Sequence, residues 1–143
     1  MKAGQQSGFT LVELVVVIVI LGILAATAIP RYASYTSSAR TSAMQGLTGA
    51  INSASMVVQG RYVATGNNAA VSVTMTDGTV VATAAATGIP TLAGIQNAVN
   101  FSAQNFAYNA GTGVWSVVTN PSATCQATYS AVTGVATAVV TGC

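Results

Sequence analysis

The chain has 143 residues, enough for one ordinary domain, yet only 4% of it is charged and 52% is hydrophobic, where an average globular chain carries about 25% charged residues. The charged side chains are Lys2, Arg31, Arg40 and Arg61 against Glu13 and Asp77, and there is no histidine. Most enzyme chemistry is thereby excluded: the two carboxylates lie far apart in sequence, no imidazole can activate a serine or cysteine, two cysteines and two isolated carboxylates are too few for a usual zinc site, and four scattered cations make no phosphate-binding stripe. No catalytic residue, metal, cofactor or specific nucleic acid is expected. A structural, binding or membrane-associated protein remains, with little charge to keep copies apart.

Residues 1–8 are short and polar. Phe9 then opens the run FTLVELVVVIVILGILAATAI, which continues to Ile29 with Glu13 as its only charge. As a helix it would be about 30 Å long, the thickness of a bilayer's hydrocarbon core. Its Leu, Ile and Val side chains contribute roughly −0.3 to −0.6 kcal/mol each, enough to outweigh one charge costing about 2.5 to 3.5 kcal/mol at mid-bilayer. The run is therefore expected to enter a membrane. Glu13 is either a carboxylate solvated near the headgroups or an ionisable group kept for a partner. The cations available to it are Lys2, Arg31 or a new amino terminus made by cleavage. Two processing schemes compete. Ala26-Thr27-Ala28 suits signal peptidase, which would discard the run. Cleavage between Gly8 and Phe9 would keep it.

The residues Gly8-Phe9-Thr10-Leu11-Val12-Glu13, followed by the apolar run with Gly22 and Pro30, resemble the N-terminal signature of type IV prepilins. The resemblance covers roughly Lys2 to Tyr32. It implies cleavage after Gly8 by a prepilin peptidase, N-methylation of Phe9, and pairing of Glu13 with the terminal amine of Phe9 on a neighbouring subunit. Opposite charges in an apolar filament core attract strongly, and each alone is costly to bury, so such pairing favours assembly and sets axial register. The stretch from Gly22 to Pro30 is, by the same resemblance, where the helix can loosen in the filament.

From Arg31 the composition turns polar and small. Met44, Leu47, Ile51, Ala54 and Val58 recur at spacings of three and four, one stripe of an amphipathic helix, which Ala43, Ala50 and Val57 widen. The helix is expected to run to about Val58, with Gly60 as its stop. Beyond it, Val71 to Met75, the Asp77-Gly78 turn and Thr79 to Thr83 predict a hairpin, with Asp77 a turn residue. A short helix is expected over Thr91 to Val99. A second hairpin is expected over Phe101 to Tyr108 and Val114 to Thr119, and a third over Cys125 to Ser130 and Val135 to Thr141 around Thr133-Gly134. Phe101, Phe106, Tyr108, Trp115 and Tyr129 would form a sugar- or surface-binding patch or, the favoured reading, pack between sheet and helix. Asn100-Phe101-Ser102 fits a glycosylation triplet.

Cys125 and Cys143 are the only cysteines. In an exported chain they are most simply one disulfide, with free thiols as the alternative. The cysteine-bounded end is similar to the disulfide region of type IV pilins, which in that family lies on the fibre surface. Within the family, the short leader, RTSAMQGLTG over 40–49 and the Thr-rich tail look most like the mannose-sensitive haemagglutinin type of type IVa pilin. The single Lys2 is fewer basic residues than family leaders carry.

The expected fold is α+β: a long N-terminal helix, its apolar half protruding, packed on an antiparallel sheet with a C-terminal disulfide loop. The expected parts are a cleaved leader (1–8), a membrane and filament-core helix (9–30), an amphipathic half (31–60) and a β-rich head (61–143). The implied function is that of a structural subunit of a type IV pilus. It would be held in the inner membrane before assembly and be extracellular afterwards, with prepilin peptidase, the assembly machinery and other copies of itself as partners, serving attachment, biofilm formation or twitching motility. The alternatives are a type II secretion pseudopilin, a minor pilin in adhesion or DNA uptake, and a secreted soluble binding domain released after Ala28. The C-terminal disulfide loop and the lack of an acidic calcium-binding cluster count against the pseudopilin.

Overall fold

The computed structural model describes residues 9–119 and 121–143; the expected leader, with Lys2 and Gly8, lies outside them. Helix α1 spans Leu11–Thr65. It passes without a break through Gly22 and Pro30, although proline in a helix interior costs about 3 kcal/mol. The chain divides into two compact units between Thr36 and Ser37. The first is helical from Leu11 onward, and its large side chains among the described residues are exposed.

The second unit is built on the remainder of α1. After it come β1 (Ser72–Thr74), β2 (Val80–Ala82), α2 (Leu92–Ala98), β3 (Phe106–Asn109), β4 (Val114–Val117), β5 (Gln126–Ser130) and β6 (Val135–Val139). β1 and β2 form a separate antiparallel hairpin, and the other four strands form one antiparallel sheet in the order β3-β4-β5-β6. Alternation along the strands chooses the inner face: Trp115 and Val117 from β4, and Ala127 and Tyr129 from β5, are buried. Met44, Leu47 and Ile51 of α1 pack on that face, joined by Ile95 and Val99 at α2. A second cluster of Val58, Tyr62, Val73 and Val81 lies under the β1–β2 hairpin. The fold is thus the expected α+β arrangement of a long helix, an antiparallel sheet and a C-terminal disulfide.

The helix differs from its sequence reading in two respects. It continues through Gly60 and ends at Thr65. Glycine costs roughly 1 kcal/mol there, but Tyr62 lies beyond it and is buried. The Tyr62 hydroxyl donates to the Asn68 carbonyl at 2.7 Å and accepts from the Ala86 amide at 2.9 Å. Those contacts hold an extra turn. The terminator is Gly66, whose φ of 66° leaves the helical region and whose amide donates to the Val63 carbonyl. The buried stripe is also narrower than expected. Ala43, Ala50 and Val57 are exposed, while Ser55 is fully buried and its hydroxyl accepts from Gln59.

The Asp77-Gly78 turn is as read. Gly78 has φ 87°, and the Met75 amide donates to the Thr79 carbonyl across it. The second hairpin is shorter than expected, because Asn105 and Phe106 donate their amides to the Ser102 carbonyl. That turn keeps residues 101–105 out of the sheet. α2 is capped by Thr91, whose hydroxyl accepts the Gly94 amide at 3.0 Å. The aromatic side chains pack rather than line the surface. Trp115 is fully buried, stacked on Tyr108 at 3.9 Å between centroids and met edge-on by Phe101 at 6.3 Å.

Candidate functional site

α1 opens at Thr10-Leu11-Val12-Glu13. Glu13 Oε2 accepts the Thr10 amide at 2.9 Å and the Thr10 hydroxyl at 2.8 Å, and the Glu13 amide donates back to Thr10 Oγ1 at 3.3 Å. This reciprocal arrangement is a capping box. It satisfies donors that a helix start otherwise leaves unpaired and places a negative charge at the positive end of the helix. The sequence reading gave Glu13 a partner in another subunit and missed Thr10; the signal was the Thr-x-x-Glu spacing immediately before the apolar run. Among the described residues nothing hydrogen-bonds to Oε1, although an ionised carboxylate has about four acceptor positions.

Beyond the cap, the side chains from Leu11 to Leu24 are exposed, from 76% at Leu11 to 44% at Val15, with Phe9 at 82%. This part of α1 is long and apolar enough to cross a membrane. At roughly 1.5 kcal/mol or more per large apolar side chain, leaving the run in water forgoes on the order of 20 kcal/mol, more than the net stability of a typical domain. Lipid or other chains must cover it.

In the second unit, the face of α1 turned away from the sheet is also uncovered. Met56, Val57 and Val63 are exposed, and apart from the helix's own adjoining backbone no described atom lies within 4 Å of where a Cβ would stand on Gly46, Gly49 or Gly60. Small residues of this kind let another backbone approach closely. The outer face of the sheet carries a depression of about 490 Å³, lined by Asn109, Thr112, Ser116, Ser122 and Gln126 among others. These offer only uncharged amides and hydroxyls. Cys125 and Cys143 are joined in a disulfide, with 4.8 Å between their Cα atoms. It ties the start of β5 to the end of the chain, where the Gly142 amide donates to the Thr124 carbonyl.

Of the residues singled out in the sequence, the structure joins the two cysteines to each other. Phe9 is exposed beside the cap, Gly22 and Pro30 lie within α1, and Gly8 falls outside the described residues. Asp77 sits at the hairpin tip with Oδ1 accepting the Thr79 amide at 2.9 Å, and that hydrogen bond holds its carboxyl below the usual range.

Residues 4–29 match the model of the prokaryotic N-terminal methylation motif. The chain is 36% identical over 104 residues to fimbrial protein EcpC of Eikenella corrodens, covering 59% of this chain and 66% of that one. It is 51% identical over 43 residues to the type IV major alpha-pilin of Moraxella bovis, covering 30% and 27%. It is 50% identical over 46 residues to type II secretion system core protein G of Pseudomonas aeruginosa, covering 32% of each. The match thus spans just under two thirds of the first relative and about a third or less of the other two. No solved structure matches.

Proposed function

Because this chain belongs to the type IV pilin family, whose members are structural rather than catalytic, we propose that it is the repeating subunit of a type IV pilus. The observation that carries the reading is the uncovered apolar run of α1 behind a capped carboxylate. Before assembly the run sits in the inner membrane, after removal of residues 1–8 between Gly8 and Phe9. In the fibre, which lies outside the cell, the same surface packs against the helices of other copies, so lipid is exchanged for protein without exposing the run to water.

Glu13 sets the register of this exchange. Thr10 occupies Oε2, and the free Oε1 accepts the methylated Phe9 ammonium of a neighbour. In apolar surroundings either charge alone is far costlier than the two together, so a subunit is held at the axial position where the two meet. The contact is heterologous and does not close, which generates a helix of subunits. The stretch from Gly22 to Pro30 is where α1 loosens in the fibre, since glycine and proline both lower helix propensity there. The outputs are attachment, biofilm formation or twitching motility.

The deciding measurement is the N-terminus and intact mass of the chain in a sheared cell-surface fraction. A chain beginning at methylated Phe9, two hydrogens lighter for Cys125–Cys143, is expected. A chain beginning at Ile29 would overturn the reading. The similarity to core protein G favours a second reading, a secretion pseudopilin. That reading predicts no long surface fibres at natural expression levels.

A further inference from the structure

The second unit, from Ser37 onward, carries three charged side chains: Arg40, Arg61 and Asp77. Among the described residues none of them is in an ion pair. Arg61 is bound by its Nε to the Thr74 carbonyl at 3.2 Å, on the same hairpin that carries Asp77. Arg40 is half-buried and has no hydrogen-bond partner among the described residues. It stands at a groove of about 260 Å³ whose walls include Ala39, Ala43, Phe106 and Val117. A guanidinium beside apolar walls attracts an anion more strongly than one surrounded by water.

The unit's one carboxylate side chain cannot reach that groove from within the same chain. Asp77 tips the β1–β2 hairpin, whose Val73 and Val81 pack on Tyr62. Tyr62 is 22 residues along α1 from Arg40, about 33 Å at the rise of a helix. Cation and anion therefore stand at opposite ends of one unit, each unpaired. The turn that presents Asp77 is narrow: Gly78 has no side chain, and nothing lies within 4 Å of its Cβ position.

We propose that the Asp77 turn of one copy docks in the Arg40 groove of the next copy, a contact between heads in addition to the packing of the apolar helices. A second copy fits because it brings the complementary charge, and because a base at one end and an acid at the other repeat head to tail without closing. The proposal rests on the filament reading above.

The test uses the full-length chain in piliated cells. Arg40→Glu and Asp77→Arg should each lower the yield of sheared fibres roughly fivefold to tenfold while the membrane pool is unchanged, since rim charges govern encounter and register. The double variant R40E/D77R should recover to within about twofold of the parent. Because a charge reversal can act through folding, a second arm places Arg40→Cys and Asp77→Cys in one chain. Fibres of that variant, treated with a bis-maleimide long enough to span the reach of an arginine–aspartate pair, should give a ladder of dimers, trimers and longer species on a denaturing gel, absent from either single variant and from untreated fibres. Fibres that assemble without a ladder, or a double reversal as poor as the single ones, would overturn the contact and leave the filament reading standing. Failure of the parent chain to form fibres would remove both.

Discussion

Glu13 shows how much one side chain can be asked to do. Its carboxylate closes the start of α1 through Thr10, and the proposed pairing with Phe9 needs its charge. The two roles separate by substitution. Glu13→Gln keeps a side chain able to complete a capping box but removes the charge. It should leave the chain in the membrane and reduce sheared fibres at least tenfold. Thr10→Ala removes the cap at a cost of about 1 kcal/mol and keeps the charge, so fibres should persist. Normal piliation of E13Q would sink the charge-pairing account. Asn52 is the residue whose role no pattern announces. Its amide nitrogen donates to the Ala136 carbonyl at 3.1 Å, and its oxygen accepts the Ala136 amide at 2.7 Å, so one side chain on α1 substitutes for a missing neighbour at the free edge of β6. Asn52→Ala leaves both backbone groups unpaired. It should destabilise the head by about 2 kcal/mol, read as a lower Tm of the full chain in detergent.

Among the elements, α2 and the disulfide-closed end of the chain depend most on close fit. α2 approaches β2 so tightly that a Cβ on Gly94 would collide with the Ala82 carbonyl. The same strand also accepts the Thr91 amide at Ala82. Gly94→Ala improves helix propensity by roughly 1 kcal/mol but forces backbone apart, and overpacking costs about 1 to 3 kcal/mol. The expected net effect is a lower Tm, and an unchanged or higher one would mean that α2 can shift freely. The bond between Cys125 and Cys143 closes a separation of 18 residues, worth about 3 kcal/mol in the chain-entropy model. Reduction should shift the denaturation midpoint of the head downward while leaving the apolar part of α1 helical, which circular dichroism can follow.

At the scale of the whole molecule, the balance of charge and burial governs the response to pH. Burial raises the Tyr108 hydroxyl above its ordinary pKa near 10, helped by repulsion from Tyr129; burial likewise raises Tyr129, against a lowering hydrogen bond with Ser55. The folded head therefore prefers both phenols protonated. The stability this contributes is complete below pH 10 and is lost as pH rises through the folded-state values. The Tyr129 hydroxyl donates to the Pro90 carbonyl and that of Tyr108 to the Leu92 carbonyl, and ionisation removes both donors. In an alkaline titration at 295 nm, the tyrosinate absorbance of these two of the five tyrosines should lag and then rise together with unfolding, a step that Tyr108→Phe and Tyr129→Phe each diminish. At the acid end, Asp77 has the opposite sign: its lowered pKa favours the ionised form, and the contribution fades as pH falls through the folded value.

Periodicity and turn chemistry are local, and they were legible from the residues alone. The 21-residue apolar run, the spacing of three and four from Met44 to Val58, the Asp77-Gly78 turn and the order of helix and strands all follow from side-chain preference over short windows. The Gly8-Phe9 to Glu13 pattern carried the family for the same reason, being an ordered motif in consecutive positions. What the sequence left open depends on residues far apart in the chain. Gly60 does not stop α1, because Tyr62 is held by Asn68 and Ala86. Val57 faces outward, and Ser55, buried with Gln59 bonded to its hydroxyl, faces in. Asn52 finds β6 from 84 positions away, and Arg40 and Asp77 end up at opposite ends of one unit with no ion-pair partner for either among the described residues. A local pattern says which surfaces must be buried; only the closed tertiary structure decides which neighbour buries them, and which charges are left over for another molecule to satisfy.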